Sequence, residues 1–393
     1  MKPINRFPFA SEPGGYPVEF ARRQAEAPLA EVELPSGDRA RLVVRRDDVA
    51  EVLVNRAFSR DLGYEGAPRV STTFDSGSLP GAIIGMDPPE HTRLRRLVAH
   101  AFTPRLVERW RPRIAEICAE LLDGLKEPPA DLVRDYALPI PVRVICAMLG
   151  VPHADIDRFQ DWSIALVSVS AHTMRERLDA MEEFQEYAHA MINRHRRDPG
   201  EGLLDELVRA RDHGEQLTEE ELVLTTLILI VAGYEAVAIA LSRGVLTLLK
   251  RGQYAALVED PTRVPGAVEE ILRFDPPGPT AFLRVAKQDV ELPSGPVHAG
   301  EAVLAVTSAA NRDPRHIGNP HDFDISRADS DHLSFGAGPH FCIGAYLART
   351  ELHAALLALC TRLPGLRLAV PPEEIPWSSG MMLQGPEVLP VAW

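Results

Sequence analysis

Apolar positions run almost unbroken from Leu222 to Leu241, "LVLTTLILIVAGYEAVAIAL", with one carboxylate, Glu235, among them. About twenty such positions in a row would span a bilayer. Upstream, Thr218 and Glu221 have the spacing of a capping box, which marks a helix start. Downstream, "SRGVLTLLKR" keeps helical spacing to Arg251. The predicted helix is then roughly 30 residues, about 45 Å long. A lone carboxylate at the centre of an isolated span is costly, whereas a helix buried on all sides in a large folded unit has the same apolar look. The pattern therefore predicts an enclosed helix rather than an anchor, and it leaves Glu235 in need of a role.

Helical periodicity dominates elsewhere, in "HTRLRRLVAHAF", "LVERWRPRIAEICAELLDGL", "PVRVICAMLGV", "IDRFQDWSIALVSV", "TMRERLDAMEEFQEYAHAMINRHRR", "VPGAVEEILRF" and a last helix at about 343 to 362. Strand signals are short and lie towards the two ends: "LAEVELP", "ARLVVRR", "FLRVAKQDVEL", "AVLAVTSAA" and "VLPVAW". No stretch alternates strand and helix as a doubly wound sheet does. The reading is a mainly α chain of the α+β kind, one domain over 1–393, with small sheets beside helices. The Gly/Ser/Pro-rich stretch at 64–85 and the bend near "SVSAHT" are expected to be moving loops.

Composition narrows the function. A net charge of −14 argues against nucleic acid or an anionic membrane as partner. The first residues, "MKPINRFPFASEPGG", contain no apolar core of a signal peptide. The four cysteines show no CxxC spacing, which points to a reduced, cytoplasmic setting. Nor is there a GxGxxG after a strand or a clustered cysteine set, so no built-in flavin or iron–sulfur centre is expected.

The sharpest local chemistry is "HLSFGAGPHFCIGAYLARTEL" at 332–352. Cys342 stands just ahead of a predicted helix N-terminus, where the helix dipole favours a thiolate. The glycines around it let backbone pass close to something flat and bulky. A buried structural cysteine in a Gly-rich turn is the bland alternative; the full pattern argues against it.

That pattern, Phe335, Gly336, Gly338, His340, Cys342 and Gly344, resembles the heme-binding signature of the cytochromes P450. Other landmarks follow the family's order over nearly the whole chain. "EILR" places Glu270 and Arg273 three residues apart on a helix, "FDISR" supplies Arg327, and "DPPEHTRLRRLV" resembles the heme-facing helix. The match is closest to the soluble bacterial members. The resemblance implies the P450 fold, with the long helix crossing the heme's oxygen-binding face. It implies protoheme with Cys342 as axial thiolate and metal ligand, and propionates held by His91, Arg95, Arg284 and His340. Glu270, Arg273 and Arg327 become a structural ion network.

On the long helix the family's Ala-Gly-x-Glu/Asp-Thr reads Ala232, Gly233, Tyr234, Glu235, Ala236. Glu235 is the expected proton relay, and Gly233 is expected to open room for dioxygen. Ala236 departs from the pattern, because it has no hydroxyl and Val237 supplies none. Hydroxylation or epoxidation of a secondary metabolite remains the leading expectation, with the substrate or a water filling the gap. Aryl coupling or ring formation without oxygen insertion is the alternative, and a heme protein that only binds a ligand is the alternative from another class. By position within the resemblance, a small-molecule substrate would meet Ile84, Ile228, Val231, Ala232, Thr280, Phe282 and Met382, an apolar set apart from the Thr280 hydroxyl. Electrons would come from an external NAD(P)H-linked chain, a ferredoxin with its reductase or a flavodoxin. The arginines Arg93, Arg96, Arg105, Arg109, Arg111 and Arg113 are the expected docking face for such an acidic carrier.

Overall fold

A computed structural model describes residues 5–71, 81–167, 172–200, 202–212, 217–327, 331–378 and 383–393. Its helices are α1 (Val18–Glu26), α2 (Arg46–Val54), α3 (Glu90–Ala101), α4 (Pro104–Gly124), α5 (Pro139–Leu149), α6 (Ile156–Val167), α7 (Met174–Arg197), α8 (Leu203–Asp212), α9 (Glu219–Lys250), α10 (Tyr254–Glu259), α11 (Val264–Phe274), α12 (Thr307–Ala310) and α13 (Ala345–Arg362). Its strands are β1 (Asn5–Arg6), β2 (Glu31–Glu33), β3 (Arg39–Val43), β4 (Phe58–Ser59), β5 (Ala130–Asp131), β6 (Arg284–Ala286), β7 (Val290–Leu292), β8 (Gly295–Val297), β9 (Ala302–Ala305), β10 (Arg367–Leu368) and β11 (Pro390–Ala392). The predicted helices all form, α9 and α11 with the expected bounds. The amphipathic α1, α2 and α8 were not foreseen, being only two to three turns each. "AVLAVTSAA" divides into the strand β9 and the short α12. Met382 lies outside the described residues, as do parts of both expected mobile loops.

Two compact units emerge from the chain. One comprises Met1–Arg95, Gly278–Asp322 and Ser330–Cys342; the other comprises Arg96–Pro277, Phe323–Asp329 and Ile343–Trp393. The first is built on a six-stranded sheet in the order β1-β2-β3-β9-β6-β4. Successive strand side chains point to opposite faces, and the residues sort accordingly. Leu42, Val44, Leu304 and Val306 join one core cluster with Phe20 of α1. Val43, Val303 and Ala305 join the other, with Val49, Val52 and Leu53 of α2.

The second unit is helical, and α9 is packed by α5, α7, α11 and α13. Its capping box forms as the sequence predicts, with Thr218 Oγ1 accepting from the Glu221 amide at 3.1 Å and Glu221 accepting from the Thr218 amide at 2.9 Å. α9 is long and apolar enough to cross a membrane, but Leu222, Leu227, Leu229, Ile230, Leu241 and Val245 are buried against its neighbours. Gly244 lets α11 close on it, since a Cβ there would lie 2.8 Å from Ile271 Cδ1.

Candidate active site

The cysteine loop, in the first unit, is a turn that only glycine can make. Gly336 and Gly338 take φ of 71° and 68°, in the left-handed region. At Gly338 space also forbids a side chain, because a Cβ would come 2.8 Å from Val54 Cα and 2.9 Å from the Leu53 carbonyl at the end of α2. The loop closes on itself through the Cys342 amide, which donates to the Phe335 carbonyl at 2.8 Å. Asn311 fixes its start, accepting from the Leu333 amide at 2.7 Å and donating to Ser334 Oγ at 2.8 Å. Cys342 is left exposed at the end of this loop, and Gly344 two residues on is the N-cap of α13.

The four predicted cations come together beside it. The rings of His91 and His340 lie with centroids 4.1 Å apart. Arg95 donates to the carbonyl of Phe341, next to Cys342. Arg284 is buried at the start of β6. Burial pushes Arg284 down to about 10. Burial pushes His340 down to about 3, helped by the charges of His91, Arg284 and Arg60. His91 is lowered by burial and then by Arg95. Burial is the leading cause at all three, and neighbouring cations add to it at the two histidines. The nearby carboxylate of Asp87 is already engaged: it accepts from the Arg60 amide at 3.0 Å, Ser59 Oγ at 2.7 Å and Lys287 at 3.2 Å. Nε2 of His91 and Nε of Arg284 are buried with no hydrogen-bond partner. Buried donors of this kind are normally satisfied, so the cluster fits a group bringing two carboxylates, as heme does.

Arg60 belongs to this cluster and the sequence did not mark it. The register that pairs Phe58 with Ala286 and Ser59 with Val285 brings Arg60 opposite Arg284 one step further. Its guanidinium donates to the carbonyls of Ile84 and Leu283 and sits 4.8 Å from the centroid of the Phe282 ring. Two expected substrate residues, Ile84 and Phe282, are thereby gathered around one cation. Phe282 remains 41% exposed beside that guanidinium. Thr280 is half-buried nearby in sequence.

In the second unit, Glu270 lies at the centre of the ion network. Arg273 grips it with two bonds of 2.7 and 2.8 Å, and both side chains are fully buried. Arg327 stands 3.3 Å from the same carboxylate, and the Asp324 amide donates to it at 2.8 Å. Gln253 holds this third segment in place through the Phe323 carbonyl and the Ile325 amide.

α9 has an open stripe. Ile228, Val231, Gly233, Glu235 and Ala236 are only half-buried and Ala232 is exposed, although residues on either side of them are enclosed. Apolar positions in mid-helix that the protein itself leaves uncovered point to a ligand surface. The helix continues unbroken through Gly233. A Cβ at Gly233 would touch Ile145 at an ordinary 3.5 Å. Oε2 of Glu235 is buried without a hydrogen-bond partner, and burial raises its carboxyl to about 7.

That shift makes a prediction. An acid with a raised native pKa binds more protons folded than unfolded, so it costs stability as pH rises from about 4.5 to about 7, with no further cost above. In heme-free protein, Glu235→Gln should melt like the parent at pH 5 and be more stable at pH 8, by up to about 3 kcal/mol. Equal melting curves at both pH values would show that the carboxyl is not buried as described.

The cytochrome P450 family model matches residues 142–259 and 264–379. The chain is 46% identical to nocardicin C N-oxygenase of Nocardia uniformis subsp. tsuyamanensis, over 98% of each chain. It is 42% identical to mycinamicin IV hydroxylase/epoxidase of Micromonospora griseorubida, over 98% of this chain and 100% of that one. Among solved structures, it resembles the LnmA cytochrome P450 hydroxylase of the leinamycin biosynthetic pathway of Streptomyces atroolivaceus S-140, with a TM-score of 0.92, 42% identity, and coverage of 99% of this chain and 100% of that one.

Proposed function

Because the chain belongs to the cytochrome P450 family, we propose that it oxidises a natural-product intermediate at a heme held by Cys342. The family match falls in both compact units, which supports reading 1–393 as one P450 domain. The enzyme is a monooxygenase of the kind that tailors secondary metabolites. Heme ligated by a thiolate supplies dioxygen activation, the sulfur pushing electron density towards iron. The observation that carries the assignment to this chain's own residues is the crowded cation cluster beside Cys342. His91, Arg95, Arg284, His340 and, in addition, Arg60 would hold protoheme's two propionates, arginine forks being well suited to carboxylates.

Glu235 has the properties of a proton relay. Its carboxyl is poised near neutrality, so it can both give and take a proton at Oε2 at working pH. Ala236 offers nothing to hydrogen-bond, so substrate or water must supply the missing donor. The open stripe of α9 would present an apolar surface to an apolar or aromatic substrate, and by the family resemblance Ile84, Thr280 and Phe282 of the first unit are proposed substrate residues as well. The leading reaction is hydroxylation or epoxidation. Coupling is the second reading, favoured by Ala236 and by a likeness to P450mel 107F1, a structure described with biaryl coupling reactivity, at 33% identity and a TM-score of 0.93.

P450 enzymes take electrons from redox partners. For this chain a ferredoxin with its reductase, or a flavodoxin, in the cytoplasm is the natural donor. Arg96, Arg105 and Arg109 are exposed. Arg111 and Arg113 are tied to Glu108, Glu116 and Glu120, so the docking face is less basic than the sequence suggests.

A Soret titration of heme-loaded protein tests the substrate class. The panel would set phenolic and indolic compounds, including aryl-bearing cyclic peptides, against macrolide and terpene scaffolds. A low-to-high-spin shift with macrolides or terpenes, and a product that gains oxygen, is the expected result. A shift confined to aromatics, with a product that gains no oxygen, would replace it with coupling.

A further inference from the structure

We propose that Arg243 is a positioning residue that sets substrate selectivity by clamping the C-terminal hairpin and the turn after α11 onto the helix that carries Glu235. The inference rests on reading the open stripe of α9 as the substrate side, and it goes beyond that reading by identifying what fixes the wall.

Glu235, Ile239, Arg243 and Thr247 follow one another at intervals of four and so form one ridge of α9. Arg243 is only 12% exposed, and its guanidinium reaches three segments. Nε donates to Asp275 Oδ1 at 2.9 Å, and Nη2 binds the same carboxylate. Nη1 donates to the Gln384 carbonyl at 2.8 Å. Its flat face lies over Trp377, 5.2 Å from the ring centroid. Thr247 completes the carboxylate, donating to Asp275 Oδ2 at 3.1 Å.

The described arms of the hairpin, 376–378 and 383–387, are bridged at Trp377 and Pro386. The Ser378 amide donates to the Gly385 carbonyl at 2.9 Å and the Glu387 amide to the Pro376 carbonyl at 2.9 Å. The Gln384 amide donates to the Pro277 carbonyl at 3.3 Å, joining the hairpin to the turn after α11. Gly385 is pressed so closely on α9 that a Cβ would lie 3.2 Å from Ile239 Cγ1 and Cγ2. Ile239 is one helical turn from Glu235 and three residues from Ala236. The hairpin therefore stands against the acid's own ridge, and the guanidinium fixes how far it stands off. A lysine is a single point donor and cannot hold both the carboxylate and the carbonyl while covering the indole.

The test uses heme-loaded protein and two azoles. Imidazole reaches iron and touches little else, whereas clotrimazole must press its aryl groups on the surrounding walls. Arg243→Met and Arg243→Lys are each expected to change the clotrimazole Kd by about tenfold and the imidazole Kd by no more than about twofold. The ferrous–carbonyl spectrum should not change, while amide exchange at Ser378, Gly385 and Glu387 should accelerate. Thr247→Val, which removes one bond to Asp275, should move the same quantities less and serves if the arginine variants do not fold. An unchanged ratio of the two constants in all variants would overturn the proposal, as would an equal change in both. Failure of the parent protein to bind either azole would instead remove the heme reading on which it rests.

Discussion

Cys342→Ala is expected to abolish turnover, by roughly a thousandfold or more, without destabilising the heme-free fold. The side chain is exposed at the end of its loop. The loop is held by backbone bonds and by Asn311, neither of which needs the sulfur. Substitutions at such positions usually change stability by under about 0.5 kcal/mol. The ferrous–carbonyl band should lose its thiolate red shift, while the melting temperature of heme-free protein stays where it was. A variant that retained the red-shifted band would show that another residue ligates iron. Alanine at Gly338 would give the opposite combination, disturbing the loop and leaving the thiol, since its Cβ would collide with the end of α2.

Glu270→Ala should do the reverse, and its effect on stability should exceed that of the other substitutions considered. Arg273 is fully buried and loses both bonds to its carboxylate partner. Arg327 and the Asp324 amide lose the same acceptor. Removing one member of a buried ion pair costs about 3–5 kcal/mol, because the remaining charge stays out of water. Against a total of about 5–15 kcal/mol, that is a large share. Reduced soluble yield, a lowered melting point and poor heme retention are expected together. Glu270→Gln, which keeps the shape and one acceptor, should fall between parent and alanine. A heme-free Glu270→Ala protein melting within about 2 °C of the parent would show the network to be dispensable.

Features set by neighbours along the chain could be read from the sequence. Glu270 and Arg273 are three apart on one helix, and Gly336 and Gly338 announce a backbone that other residues avoid. Thr218 and Glu221 start α9 where they should. Features set by pairing of distant segments could not be read. Arg60 joins the cation cluster only through the register of β4 on β6, and Asp87 is pinned by Ser59 and Lys287 from two other segments. Arg327 was found through family resemblance alone, since its approach to Glu270 depends on Gln253 holding the segment before it. The clamp at Arg243 was equally hidden, because an arginine on an apolar helix reads as a surface residue until its carboxylate is located.

The glycine at the crossing of α9 and α11 has a consequence for anyone who diversifies this enzyme. With 2.8 Å between a hypothetical Cβ at Gly244 and Ile271, the two helices have no slack there. A mutant library spread evenly along α9 would therefore be filled with unfolded members from its C-terminal half. Randomisation restricted to Ile228, Val231, Ala232 and Ala236, which the protein leaves partly uncovered, would keep most members folded and direct the diversity to the surface proposed to meet substrate.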